Sequence, residues 1–298
     1  MPKSIPVLLN ECAGPGEKDR SDEVQRAFAA CGLTAEILIR AKDEDMGDLV
    51  KRAAKTPGGV VVVGGGDGSL NAAAGALAGT QTVLGILPMG TLNHFAKALG
   101  IGPSLADAAS IIASGVIRSV DVGEVNGRVF INNAGLGIYP AVVRLRVGLQ
   151  ERLGRGKWPA FAIALWRNLR NHRLLRVRVK LHGEEHLSRT PFVFVGNNVY
   201  TMEGLDLGTR ATLEGGALCL YMARRNTAWS LIRLALRALF GRLHQAEDFQ
   251  MLTADSFRIE TPKSHALVGL DGEVERFETP LECRIRARAL RVLAPAVS

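Results

Sequence analysis

The residues best suited to chemistry lie in VVVGGGDGSLNAAAGAL, residues 61–77. A β-branched run leads into Gly64, Gly65, Gly66, Asp67 and Gly68, and the Ala-rich stretch Ser69–Leu77 is predicted to be helical. Glycines permit a tight turn and let backbone N–H groups approach an anion unobstructed. The helix that follows aims its positive N-terminal end at the same spot. Ser69 and Asn71 add side-chain hydrogen-bonding groups. In physical terms this is a phosphate cradle. It lacks the Lys that follows the last Gly of a P-loop. An acid such as Asp67 repels a pyrophosphate unless it serves a metal or a proton network. The structural alternative is a tight strand–helix turn with no ligand.

A second loop, LGILPMGTLNHFAKALGI at 84–101, repeats the logic. Pro88 and Gly90 shape a turn, and Thr91 and Asn93 stand at the start of a helix predicted over Leu92–Leu99. Thr91 suits either a helix cap or a phosphate donor. Two such loops at the C-terminal ends of neighbouring parallel strands face the crevice where open α/β sheets bind ligands.

Alternating elements must position these loops. Strands are predicted over Ile5–Leu9, Ala35–Ile39, Gly59–Val63 and Val83–Leu87, with helices over Asp22–Cys31 and Met46–Ala54 between them. The apolar β-branched runs fit strands buried on both faces of a parallel sheet. After about residue 120 the pattern becomes β-rich, with strands expected over Val120–Val125, Arg128–Asn132, Leu175–Leu181, Pro191–Val195, Ala217–Met222, Ser256–Glu260 and Leu281–Ile285. Two helical stretches, at about 141–171 and 226–243, interrupt it. Leu270-Asp271-Gly272-Glu273 falls in a turn between two strand-like runs, and taken alone it reads as a surface hairpin.

Composition sets the outer bounds. The chain has 298 residues, 47% hydrophobic and 22% charged, as in ordinary globular proteins. Cys12, Cys31, Cys219 and Cys283 have no zinc or redox spacing and fit a reducing compartment. The N-terminus does not read as a secretory signal, and no apolar run approaches the length that crosses a bilayer, so a cytoplasmic location is expected. The net charge of +8 favours an anionic partner. Between Ala141 and Lys180 stand eleven Lys or Arg residues and one acid, Glu151. Residues 141–176 and 224–243 mix arginines with Leu, Trp and Phe, as basic amphipathic helices at a membrane interface do, although solvated faces packed on a core show the same pattern. With few aromatic residues and no nucleic-acid motif, a nucleic acid is not the expected partner.

Five motifs in order carry a resemblance. GGDGS at 65–69 with Leu70 and Asn71, PMGTLNHFA at 88–96, VDVGEVNGRVFINNAGLG at 120–137, VGNN at 195–198 and LDGE at 270–273 resemble the diacylglycerol kinase catalytic-domain family, which includes bacterial soluble lipid kinases and sphingosine kinases. The resemblance implies an N-terminal α/β nucleotide-binding domain with a parallel sheet, over 1–122 with a C-terminal return at 287–298. It implies a C-terminal β-sandwich domain for the lipid over 123–286. ATP would lie on the Gly65–Asn71 loop with Thr91 nearby. Asn10, Ala13 and Gly14 match the family's N-terminal nucleotide loop, with Glu11 in place of its Pro. Arg40 stands where relatives often have a Thr and is compatible with nucleotide phosphate or ribose. Glu273 takes the role of proton acceptor, with Asp271 its competitor two residues away. Asp67 and Asp121 are the implied acids around Mg²⁺.

The implied activity is ATP-dependent phosphorylation of a hydroxyl on diacylglycerol, a sphingoid base or a related lipid alcohol. The partners are a lipid and, transiently, an anionic membrane surface. A soluble small-molecule kinase of the NAD kinase type, or an inactive nucleotide- or membrane-binding relative, is the alternative. The oligomeric state is open, a homodimer among the options. Two departures bear on activity. His94 replaces the acid that often follows Asn93, and Glu214-Gly215-Gly216 replaces the Asp-Asp-Gly of a structural Mg²⁺ site. That second site is expected to be absent or altered.

Overall fold

A computed structural model describes residues 4–10, 17–55, 59–138, 174–201, 209–223 and 249–296. Gly14 and the expected helical stretches at 141–171 and 226–243 lie outside them. The chain folds as two compact units, Met1–Val122 with Arg286–Ser298, and Gly123–Ile285.

The first unit alternates strand and helix: β1 (Ser4–Asn10), α1 (Glu17–Ala30), β2 (Thr34–Arg40), α2 (Met46–Ala53), β3 (Val60–Gly65), α3 (Asp67–Leu77), β4 (Val83–Pro88), α4 (His94–Ala98), α5 (Leu105–Ser114) and the start of β5 (Val116–Val125). The strand order is β2-β1-β3-β4, all parallel. Helices cover the faces, so β3 and β4 are buried almost throughout, which explains their unbroken Val, Leu and Ile runs. The chain moves outward from β1 to β2 and then returns past β1 to β3. This reversal makes the C-terminal ends of β1 and β3 a topological switch point. Asp45 caps α2 by accepting the Asp48 N–H, and Ser104 caps α5 through Asp107. Gly66 stands at the N-cap of α3 and makes no side-chain cap bond.

The second unit is a β-sandwich. Its remaining strands are β6 (Arg128–Phe130), β7 (Asn133–Gly137), β8 (Leu175–Leu181), β9 (Glu184–Thr190), β10 (Phe192–Asn197), β11 (Tyr200–Thr201), β12 (Thr209–Arg210), β13 (Leu218–Ala223), β14 (Phe249–Ala254), β15 (Ser256–Glu260), β16 (His265–Leu270), β17 (Glu273–Glu278) and β18 (Leu281–Ala294). One sheet runs β14-β13-β10-β7-β16-β17, and the other includes β18-β15-β8-β9. Alternate residues of both sheets, among them Leu136, Val177, Val179, Val195, Leu220, Phe257, Ile259 and Val268, close a single apolar core.

Strand β18 belongs to both units. Its first residues pair antiparallel with β15, and Arg291 and Val292 pair parallel with β4. Between these stretches Arg288 takes a left-handed φ of 51°. Its N–H donates to Oδ1 of the fully buried Asp121 at 2.8 Å.

Candidate active site

In the first unit the strand register brings several predicted residues together. Asn10 ends β1 directly opposite Arg40, the last residue of β2. Arg40 donates its Nε–H to Asn10 Oδ1 at 3.0 Å and a second N–H to the Glu44 carbonyl. Asn10 Nδ2 in turn lies 3.4 Å from Ser69 Oγ, in the first turn of α3. A line of polar groups thus runs from β2 across β1 to the start of α3. Asn71 sits half-buried further along the same helix.

The glycine loop and the second loop lock together. A Cβ on Gly90 would stand 2.4 Å from Gly66 Cα, so the two backbones approach too closely for a side chain at Gly90. A Cβ on Gly64 would meet Leu9 and Met89, and one on Gly65 would meet Ser69. These glycines therefore serve close packing within the protein, a reason the phosphate argument alone does not supply.

Asp67 closes the junction. Its Oδ2 accepts the His94 N–H at 3.1 Å and its Oδ1 the Phe95 N–H at 3.0 Å. Helix α4 is thus capped by an acid from the other loop. Asn93, at its own N-cap position, has a left-handed φ of 51° and makes no cap bond. Its side chain turns back instead, accepting the Gly90 N–H at 2.9 Å and donating to the Gly90 carbonyl at 2.8 Å. This corrects the helix predicted from Leu92, because Asn93 keeps the chain out of the helical region. Thr91 is exposed, and the cap of α4 comes from Asp67 rather than from Thr91.

The second unit holds the other two predicted acids. Leu270 pairs with Glu273, so Asp271 and Gly272 form a two-residue hairpin turn, with φ of 47° and 95°. Glu273 opens β17 and is exposed. Asp271 turns inward. Its Oδ2 accepts the Ile131 N–H at 2.7 Å, and its Oδ1 accepts those of Asn132 at 2.9 Å and Asn133 at 2.8 Å. Desolvation pushes this carboxyl up to about 7, while the three N–H groups and the nearby Arg210 charge pull it down.

Arg210 carries no signal of its own in the sequence. It donates to the Ile131 carbonyl at 2.7 Å and to Asn132 Oδ1 at 2.8 Å, and it lies over the Tyr200 ring. Asn197 donates to the same Ile131 carbonyl. The signal available was the asparagines of FINN and VGNN, polar residues set in otherwise apolar strands. Beside them, a Cβ on Gly215 would stand 2.6 Å from Asn198 Oδ1.

A parallel sheet with a polar junction of two loops at the ends of β3 and β4, followed by a β-sandwich, is an architecture that several chemistries can share. Comparison with known proteins narrows it. Residues 4–125 match the diacylglycerol kinase catalytic domain. Residues 140–294 match the YegS C-terminal NAD kinase beta sandwich-like domain. Diacylglycerol kinase of Bacillus subtilis (strain 168) is 28% identical over 257 residues, 84% of this chain and 83% of that protein. Diacylglycerol kinase of Mycobacterium tuberculosis (strain ATCC 25618 / H37Rv) is 28% identical over 277 residues, 89% of this chain and 86% of that protein. The crystal structure of a diacylglycerol kinase from Bacillus anthracis str. Sterne superposes with a TM-score of 0.70 over 98% of this chain and 96% of that one, at 19% identity, a likeness of fold.

The chain belongs to the diacylglycerol kinase catalytic-domain family of lipid kinases. It is a phosphotransferase with an alcohol group as acceptor.

Proposed function

We propose that this chain transfers the γ-phosphoryl group of ATP to the hydroxyl of diacylglycerol, a sphingoid base or a related membrane lipid alcohol. The observation that carries the reading is the junction of the two loops. Gly66, at the N-cap of α3, has no side chain to occupy the helix's first N–H groups, and such a helix start is a suitable seat for phosphate oxygens. Ser69, Thr91, Asn10 and Arg40 supply polar groups around it, Arg40 with a permanent positive charge.

The residues present fit Mg²⁺ of a particular kind. Among the described residues, no group of three His, Cys, Asp or Glu side chains could hold a metal ion by itself. Asp67 is a carboxylate held in place by the His94 and Phe95 N–H groups, and a carboxylate can meet such an ion directly or through water. Asp121 is completely buried and would act on such an ion only through its charge. This donor set suits an ion held mainly by nucleotide phosphates and water, as Mg²⁺ prefers. An ion held there would supply positive charge to offset that developing on the transferring phosphoryl group.

Glu273 is the proposed proton acceptor. A lipid alcohol is a poor nucleophile at neutral pH, and an exposed carboxylate on a rigid hairpin can take its proton as the O–P bond forms. Asp271 suits a different task. Three backbone N–H groups occupy its oxygens, so it anchors the hairpin that carries Glu273 rather than receiving the proton itself.

The substrate resides in a bilayer, and a transient contact with anionic lipid through the basic segments at 141–176 and 224–243 is part of the proposal. Among the described residues, no helix is long and apolar enough to cross a membrane. The experiment is incubation with radiolabelled ATP, Mg²⁺ and a total lipid extract. The proposal expects label in an organic-phase product. A labelled aqueous product would point to a soluble small-molecule acceptor, and ATP binding without transfer to an inactive relative.

A further inference from the structure

The outward face of β8 and β9 carries a pattern that phosphoryl transfer does not use. In the antiparallel register Arg176 stands opposite Arg189, Arg178 opposite Leu187, and Lys180 opposite Glu185. Val177 and Val179 point the other way, into the sandwich core. The three pairs therefore share the face turned away from it. Strand β15 extends that face, with Glu260 opposite Arg178 and Arg258 opposite Lys180.

Much of the face is neutralised from within. Arg178 lies 3.6 Å from Glu185 and 3.5 Å from Glu260, and Lys180 lies 3.2 Å and 3.0 Å from the same two acids. Arg176 and Arg189 differ. Both are exposed, and among the described residues no ion pair or hydrogen bond involves either guanidinium. Like charges directly opposite in a β-ladder repel, so the pair favours an external anion. Beside them Leu187 is 74% exposed, on the outer strand of its sheet. Leu187, Arg176, Arg189 and Pro262 line an open groove of ≈ 470 Å³.

We propose that this face docks the protein on an anionic phospholipid surface, with Arg176 and Arg189 on headgroup phosphates and Leu187 at the level of the first acyl carbons. Charge and apolarity together select this partner. A nucleic acid would satisfy the arginines but leave Leu187 in water. A second copy of this chain could cover Leu187, but the acids it would bring from the same face, Glu185 and Glu260, are already paired with Arg178 and Lys180. The face also continues the most basic run of the chain, since β8 closes the Ala141–Lys180 stretch with its eleven Lys or Arg residues and one acid. An interfacial leucine flanked by arginines is the arrangement by which peripheral proteins hold a negatively charged leaflet.

The inference rests on the reading of the chain as a kinase of membrane lipids, but its test needs no phosphoryl transfer. The full chain is floated with phosphatidylcholine vesicles, with and without phosphatidylglycerol. Arg176→Gln/Arg189→Gln and Leu187→Ser are compared with Arg26→Gln/Arg52→Gln, an equal loss of charge on exposed residues of the first unit. The first pair is expected to weaken binding to the anionic vesicles roughly tenfold to thirtyfold, at about a factor of five per arginine. Leu187→Ser weakens it several-fold, and the control pair does so much less. Equal effects of the two arginine pairs would reduce the matter to net charge and overturn the proposal. So would a parent that binds neither vesicle, or a parent that self-associates through this face and loses that association in Leu187→Ser. Transfer to detergent-solubilised lipid, measured on the same samples, reports separately on the kinase reading. Normal transfer with lost vesicle binding supports docking. A parent without transfer counts against the kinase and leaves the vesicle result standing.

Discussion

The carboxylate of Asp67 accepts the backbone N–H of Phe95 at 3.0 Å, across 28 residues of sequence. With the neighbouring bond from His94, it joins the two loops at the ends of β3 and β4 into one body. The same side chain thus holds the site's shape and stands as the acid proposed to meet Mg²⁺.

These two tasks separate in a variant. Asp67→Ala removes the cap of α4 and is expected to lower stability by about 1 kcal/mol, a modest loss that leaves the fold intact. Phosphoryl transfer should be abolished. Denaturant unfolding measures the first effect and a kinase assay the second. Normal turnover together with lowered stability would show that Asp67 is a cap and nothing more.

The line from Arg40 through Asn10 to Ser69 makes a different prediction. If these groups hold nucleotide, Asn10→Ala removes one polar contact to ATP, worth about 0.5–1.5 kcal/mol, and takes one acceptor from Arg40. The KM for ATP should rise about threefold to tenfold, with kcat nearly unchanged. Saturation kinetics with ATP varied at fixed lipid would show it. A fall in kcat at constant KM would place Asn10 at the reacting phosphoryl group instead.

Much of this architecture is legible in the sequence because burial writes itself into residue choice. Strands β1 to β4 lie in a layered sheet, and their apolar runs announce them. The elements that escape are those with little such signal. Strand β9, EEHLSRT, is the outer strand of its sheet and mostly solvated, so its alternation is weak. Strand β7, NAGLG, is made of poor strand formers held between β10 and β16. Helix α5, with its cap at Ser104, hides within a stretch of small residues. The candidate site divides in the same way. The glycine loops and LDGE are local patterns. The cap from Asp67 to α4, and the three N–H groups on Asp271, join positions far apart in sequence and no local pattern records them.

Asp271 ties protonation to stability. Its carboxyl titrates near 3.8 in the unfolded chain and is raised to about 7 in the folded one. The folded state therefore holds the extra proton between those values, and linkage makes this contribution greatest below about 4 and lost as pH rises through about 7. Asp271→Asn should flatten the fall in stability over that window, as read by urea unfolding at a series of pH values. An unchanged slope would show that the three N–H donors outweigh desolvation. Asp271→Ala should destabilise by about 1–3 kcal/mol, because it leaves those donors without an acceptor.

The central claim is phosphoryl transfer to a lipid hydroxyl with Glu273 as the base. The measurement is turnover into organic-extractable phosphate at saturating ATP, for the parent, Glu273→Gln and Asp271→Asn. The glutamine keeps size and hydrogen bonding but cannot accept the proton. General-base assistance contributes about 10²–10⁴-fold, so kcat should fall by that factor while the KM for ATP stays near the parent's. Asp271→Asn should lose less turnover than Glu273→Gln. A parent that labels no lipid, or a Glu273→Gln variant with parental kcat, would contradict the account.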